Sequence, residues 1–195
     1  MRKDIQKNSV SDSALGRAVM IIAVLNFGYF FVEFVVAYSI GSVSLFADSI
    51  DFFEDAAVNA LIFVALGWSL HRRSLVGMLL ALILLVPGIS TLWTAWDKFS
   101  HPSFPSPVPL TLAGSGALIV NLFCASLLVR YKTHSGSLAK AAFLSARNDA
   151  LANIAIIVAG LITVPTASAW PDLIVGLGIF FMNLDAAREV YTAAR

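Results

Sequence analysis

The sequence predicts an all-α, polytopic membrane protein with six transmembrane helices and both termini in the cytoplasm. The first observation is composition: 58% of the 195 residues are hydrophobic and 13% are charged, with a mean hydropathy of +0.83. Soluble domains carry about 25% charged residues, so this composition excludes an ordinary soluble fold. The other two observations are six long apolar runs and basic residues that concentrate in alternate connections.

The apolar runs divide the chain into a tail, a membrane domain and a second short tail. Residues 1–17 are polar without an amphipathic period, so we expect a flexible cytoplasmic tail. We expect residues 18–190 to form the transmembrane domain and residues 191–195 to form a short C-terminal tail, with no cytoplasmic domain after it. Each run has roughly 20 residues, enough for a hydrocarbon core of about 30 Å. The predicted helices are 18–39, 43–69, 75–97, 109–130, 139–163 and 171–190.

The first apolar run predicts a helix that stays in the membrane rather than a cleaved signal peptide. It carries Glu33 and lacks a small-residue cleavage site. The connections that follow contain residues that end helices, above all the three prolines of 101–107, which lack amide donors and force extended neighbours. The single cysteine, Cys124, excludes a disulfide framework.

Lysine and arginine decide the predicted orientation. With the N-terminus inside, Lys98 alone falls on the outer side, and Arg147 lies within the membrane. The positive-inside rule then places both termini in the cytoplasm, and we expect the cell's inner, cytoplasmic membrane as the location. The basic residues on the cytoplasmic side are Arg2, Lys3, Lys7, Arg17, Arg72, Arg73, Arg130, Lys132, Lys140, Arg188 and Arg195.

Four carboxylates lie within eight residues of the second apolar run: Asp48, Asp51, Glu54 and Asp55. At about 100° per residue, the three aspartates share one face of a helix. Insertion scales assign about 2.5–3.5 kcal/mol to each charge at the membrane centre, so such a load is rarely structural decoration. With Glu33 and the fifth-run residues considered next, the acids predict a site for a cation.

A second polar cluster reaches the same depth from the fifth run. Asp51 lies about nine residues, or roughly 14 Å, from the outer end of its helix. Ser145 and Asp149 are four residues apart on one helical face, with Asn148 beside them, and they enter from the cytoplasmic side. The two clusters can therefore form one site. Arg147 points about 200° away from Ser145 and is expected to pair with a carboxylate such as Glu54.

Further short motifs occur in a fixed order along the chain. They are Asn26 and Glu33; Gly41-Ser42 with Ser44-Leu45; Ala47-Asp48 followed by Asp51 and Asp55; Phe99 to Pro102; Val120 to Leu122; Ala142-Phe143 leading to Ser145 and Asp149; and Trp170 to Asp172. At these residues the sequence resembles the cation diffusion facilitator family of metal–proton antiporters, and the resemblance runs through nearly the whole chain.

The resemblance implies a tetrahedral metal site made of Asp51, Asp55, Asp149 and the residue at position 145. Family members usually have histidine at that position, whereas this chain has Ser145, so Ser145, Asn148 or a water completes the shell. Most members also carry a cytoplasmic metal-binding domain after the sixth helix. We expect it to be absent here, and with it any regulation or dimerisation through it.

The three remaining acids have expected roles outside the ligand set. Asp48 is either an acid beside the metal site or a cap of the second helix, and Glu33 carries a proton or a buried hydrogen bond. Glu54 either supports the site or pairs with a base. Without a bound ion the neighbouring carboxylates cannot all stay ionised, so protons and metal should compete for the same oxygens.

These features predict a secondary transporter, not an enzyme, that exports divalent metal ions in exchange for protons. The metal is then the substrate, and no cofactor is expected. Zinc leads on family frequency, followed by cadmium, cobalt, iron or manganese, although all-oxygen ligands suit Mn(II) and Fe(II) better. The expected partners are metal cations, protons, the lipid bilayer and a second copy through the transmembrane helices, with no nucleic acid.

Three other functions fit part of the pattern. A proton-coupled exporter of small organic cations should place an aromatic cage toward the acids, whereas Phe52 and Phe53 point off the acidic face. A membrane carboxylate-metal enzyme would need several histidine ligands, and the predicted membrane segments hold none. A partner subunit that does not itself transport would share the same sequence pattern.

Overall fold

The computed structural model has six α-helices in the residues that it describes, which confirms the predicted fold class. It describes residues 2–65, 89–129 and 136–193, with side chains for 16–60, 63, 89–129 and 146–183. No strand occurs in these ranges. The helices are α1 (Arg2–Ile40), α2 (Val43–Ala65), α3 (described over 89–100), α4 (Pro107–Leu128), α5 (Gly136–Thr166) and α6 (Trp170–Ala193).

Membrane-spanning character is clearest in α1, α4 and α5. Within the described residues, Gly16–Ile40, Pro107–Leu128 and Ala146–Thr166 are long and apolar enough to cross a bilayer. The apolar part of α6, Trp170–Asn183, is shorter. Helix α2 has the length, 23 residues, but its four acids set it apart from this group. The chain is a membrane protein; the cytoplasmic placement of its termini stays a prediction.

The N-terminal residues differ from the prediction. Helix α1 begins at Arg2, so the polar residues expected to form a flexible tail continue the first transmembrane helix. No proline or glycine interrupts the chain between Arg2 and Leu15, and a helix extends at low cost once it is nucleated. The other predicted boundaries agree to within about three residues where the chain is described. The predicted connections at 71–73 and 132–135 lie outside the described residues.

Helices α1 and α2 form a tight hairpin. Gly41 provides the turn with a positive φ of 63°, a conformation that side chains with a Cβ rarely adopt. Aromatic rings then close the interface: Tyr29 lies 5.0 Å from Phe52, and Phe30 lies 5.2 Å from Phe53, between ring centroids. Phe52 and Phe53, which point away from the acidic face of α2, are therefore part of the packing between α1 and α2.

Helices α4 and α5 form the second hairpin, and small residues bring them together. A Cβ atom at Gly114 would lie 2.9 Å from the Ile156 side chain, so α5 approaches the α4 backbone directly. The hairpins meet where the Tyr29 hydroxyl donates to the Ala113 carbonyl at 2.7 Å. Buried side chains from α2, α4, α5 and α6 share one core, which includes Leu45, Leu110, Ile156 and Ile179.

A buried carboxylate joins three helices at the end of the bundle that contains the α1–α2 turn, here called the turn end. Asp172 accepts hydrogen bonds from the backbone amides of Val43 and Ser44 at 2.9 and 3.1 Å, and from the Ser44 hydroxyl at 2.6 Å. It also accepts from the Ser42 hydroxyl at 2.7 Å and from Lys98 at 2.8 Å. Asp172 therefore satisfies free amides at the start of α2.

Candidate metal centre

Two aspartates on α2 face the interior of the bundle and receive amide donors from other helices. Asp51 and Asp55 are half-buried. Asp51 Oδ1 accepts a hydrogen bond from the Asn183 side chain of α6, and Asp55 Oδ2 accepts one from Asn26 Nδ2 of α1 at 3.4 Å. These amides orient the carboxylates without neutralising their charge.

Helix α5 adds the third carboxylate. Asp149 is half-buried, and its carboxyl group contacts that of Asp55 and lies close enough to Asp51 for their charges to interact. The three predicted ligands Asp51, Asp55 and Asp149, hereafter called the ligand trio, thus lie close enough for their charges to interact. Within the described residues, however, no three acidic, histidine or cysteine side chains converge to metal-ligating distances.

The remaining two predicted ligands lie on the same helix as Asp149. The backbone of Ser145 belongs to α5, but its side chain lies outside the described residues. Asn148 is half-buried, and its Oδ1 accepts from Arg147 Nη2 at 3.4 Å. Arg147 itself is exposed, and the described part of the chain shows no ion pair between it and Glu54. Glu54 is half-buried next to the charge of Asp55.

Glu33 and Asp48 lie deeper than the ligand trio. Both side chains are completely buried, at 0% exposure, and their carboxyl groups face each other between α1 and α2. Asp48 Oδ2 accepts from Asn153 Nδ2, and Asn153 Oδ1 accepts from Asn121 Nδ2 at 2.9 Å. Asp48 thus contacts another helix and does not cap α2. The amides at the start of α2 donate to Asp172 instead. We call Glu33 and Asp48 the buried acid pair.

Several asparagine side chains join the helices through hydrogen bonds. Asn26 joins α1 to α2, while Asn121 and Asn153 join α4 to α5 and onward to α2. Asn59 instead donates to the backbone carbonyl of Asp55 on its own helix, at 2.7 Å. Asn183 was missed, although an asparagine inside an apolar helix is a signal of an interior polar contact.

The arrangement suits a hard or borderline cation. Carboxylate and amide oxygens are the groups that the three helices present, and carboxylates attract a divalent ion strongly where the dielectric is low. Partial exposure leaves the ligand trio open to an ion. Aromatic rings that could cage an organic cation are instead occupied: Phe52 packs on Tyr29 and Phe53 on Phe30.

Comparison with known proteins is consistent with this geometry. The family model described as the cation efflux transmembrane domain matches residues 19–194, so the match includes all the helices that carry the acids. No curated protein matches the chain.

Proposed function

The chain belongs to the cation efflux family, whose members are membrane transporters of metal cations, and we propose that it exports a divalent metal ion in exchange for protons. In this proposal the metal is a substrate that binds transiently, so the protein needs no resident cofactor and catalyses no chemical reaction. The proposed location is the inner, cytoplasmic membrane, with both termini in the cytoplasm.

One observation carries the proposal: carboxylates from α2 and α5 approach each other inside a membrane bundle. Asp149 contacts Asp55 and interacts with Asp51, although the three acids lie on two different helical hairpins. Like charges at such separations repel strongly away from bulk water. A divalent ion relieves that repulsion, and so do protons. Exchange follows because metal and protons occupy the same oxygens alternately.

The proposed ligands are Asp51, Asp55 and Asp149, completed by Ser145, Asn148 or water. Zinc is the first metal to test, followed by cadmium, cobalt, iron and manganese. Hydroxyl and amide oxygens in place of an imidazole favour the harder ions of this series, so Mn(II) and Fe(II) provide the informative comparison. A second copy of the chain, joined through the transmembrane helices, is the proposed assembly.

The test uses purified protein in proteoliposomes. Uptake of each metal is measured with and without a pH gradient, for the unmodified chain and for Asp51→Asn and Asp149→Asn. Asp97→Asn is the matched control, because the Asp97 side chain is 69% exposed at the turn end and its described contact is a surface pair with His101. We expect the gradient to accelerate uptake, both ligand variants to lose it, and the control to retain it. Unchanged uptake in either ligand variant would remove the site assignment.

An exporter of organic cations is the alternative function, and the same proteoliposomes test it. Competition by small ammonium compounds at concentrations far above the metal should leave metal uptake unchanged. The packing of Phe52 and Phe53 against α1 favours the metal, because neither ring is available to cover a bound ammonium group.

A further inference from the structure

The buried acid pair has more hydrogen-bond acceptors than its described neighbours have donors to offer. Glu33 and Asp48 are both at 0% exposure, and their carboxyl groups are neighbours. Two ionised carboxylates have no donor to offer each other. Sealed from water, such a pair is prohibitively unfavourable unless a cation lies between the two groups.

Neighbouring donors in the described residues are already engaged. Asn153 gives its amide hydrogen to Asp48 Oδ2 and uses its own oxygen for Asn121, while Tyr29 donates to the Ala113 carbonyl. Three oxygens stay without a hydrogen-bond partner: both of Glu33 and Oδ1 of Asp48. The open acceptors therefore lie together between α1 and α2, where the two acids face each other.

A proton fits this space better than a metal ion does. Only two side chains supply the open oxygens, whereas transition-metal ions in proteins take four or more ligands. Access differs as well: the ligand trio is half-buried, and the buried acid pair is closed. One proton shared between the two carboxyl groups replaces the repulsion between two hydrogen-bond acceptors with a charge-assisted hydrogen bond.

We propose that Glu33 and Asp48 share one proton, and that this pair is an additional proton-carrying site of the exchange, beside the carboxylates at which metal and protons compete. The inference rests on the proposed metal–proton exchange. It adds a proton position next to the proposed metal site, because Asp48 precedes Asp51 by three residues, or about 4.5 Å along the helix axis.

The structure also supplies a route for coupling. The titratable groups whose charges act on the pair are Tyr29 on α1, Asp51 and Asp55 on α2, and Asp149 on α5. A divalent ion bound by the ligand trio cancels negative charge near the pair and favours release of its proton to water. The balance is one metal ion bound and one pair proton released.

Asn153 provides a mechanical link as well as an electrostatic one. It follows Asp149 by four residues, so both lie on the same face of α5. A shift of α5 that changes the contact between Asp149 and Asp55 also moves the amide that holds Asp48. The metal site and the buried acid pair therefore respond to the same helix.

Glu33→Gln tests the inference in the purified full chain. Glutamine has the same size and can donate to Asp48, but it cannot release a proton. Two quantities are measured with Zn²⁺ and Mn²⁺: metal bound per chain by equilibrium dialysis, and protons released on binding in weakly buffered solution. We expect the bound metal to be unchanged and the released protons to fall by about one per metal. Asp97→Asn, an exposed acid-to-amide change, should alter neither quantity.

A second variant guards against a folding failure. Asp48→Asn should lose the same proton, and the double variant should lose no more than either single change, because one proton is shared. Infrared difference spectra on metal binding give an independent readout: the band of a protonated carboxyl that disappears in the unmodified chain should be absent from both variants.

Each other result overturns the inference. Less bound metal in Glu33→Gln would make the pair part of the metal site. Unchanged proton release in both single variants would leave the pair a purely structural contact. Failure of the exchange itself is recognised separately, because the unmodified chain would then bind metal without releasing protons.

Discussion

Removing the Asp172 carboxylate should destabilise the bundle more than removing its lysine partner. Asp172 is fully buried and accepts five hydrogen bonds, whereas Lys98 is 4% exposed and also donates to the Gly41 carbonyl. Asp172→Ala leaves a buried ammonium without its counter-ion, which costs about 3–5 kcal/mol. It also removes the cap of α2, worth about 1 kcal/mol.

Lys98→Met should lower the free energy of unfolding by less than Asp172→Ala does. The Asp172 carboxylate then keeps four of its five donors, from the Val43 and Ser44 amides and the Ser42 and Ser44 hydroxyls. The lost charged hydrogen bond is worth about 1.5–3 kcal/mol. In the double variant no charge is left unpaired, so the total loss should be smaller than the sum of the two single losses.

The assay is the free energy of unfolding in mixed micelles, titrated with a denaturing detergent. Asp97→Ala is the matched control, because it breaks a surface pair with His101, at 3.4 Å, whose side chains are 69% and 81% exposed. That change should stay within about 0.5 kcal/mol of the unmodified chain. A loss below about 1 kcal/mol for Asp172→Ala, or one no larger than for Lys98→Met, would refute the reasoning.

Two more predictions concern the site and the packing. Asn183→Ala removes the donor that orients Asp51. Metal affinity, measured by equilibrium dialysis, should fall about 10–100-fold while the number of binding sites stays the same. An unchanged affinity would show that the contact is incidental. Gly114→Val should destabilise the α4–α5 hairpin by about 1–3 kcal/mol in the detergent titration. Gly28→Ala, where no atom lies within 4 Å, should be neutral or stabilising, and equal losses at the two glycines would contradict the packing argument.

Much of the fold could be predicted because apolar length and helix-ending residues are local properties. Six runs of membrane length and the prolines of 101–107 predict six helices with boundaries close to the observed ones. The helical face shared by Asp51 and Asp55 follows from periodicity alone. The start of α1 at Arg2 did not follow, because polar residues without a helix breaker carry no signal that distinguishes a helix from a tail.

The contacts that each side chain makes with other helices could not be predicted from the sequence. Three aspartates of α2 share one face, but only the packing of α5 and α1 separates them: Asp51 and Asp55 meet Asp149, while Asp48 meets Glu33 and Asn153. The roles of Asn183 and Asp172 were missed for the same reason, since each acts on a residue more than 100 positions away.

By itself, the sequence determined the class of this protein, because acids inside apolar helices require a cation wherever the helices pack. It also determined the facing of each acid on its own helix, through the 3.6-residue period. Tertiary structure alone decided which acids stay accessible and which are sealed, because burial depends on neighbouring helices distant in sequence. That difference divides the second-helix carboxylates between the proposed metal ligands and the proposed proton pair.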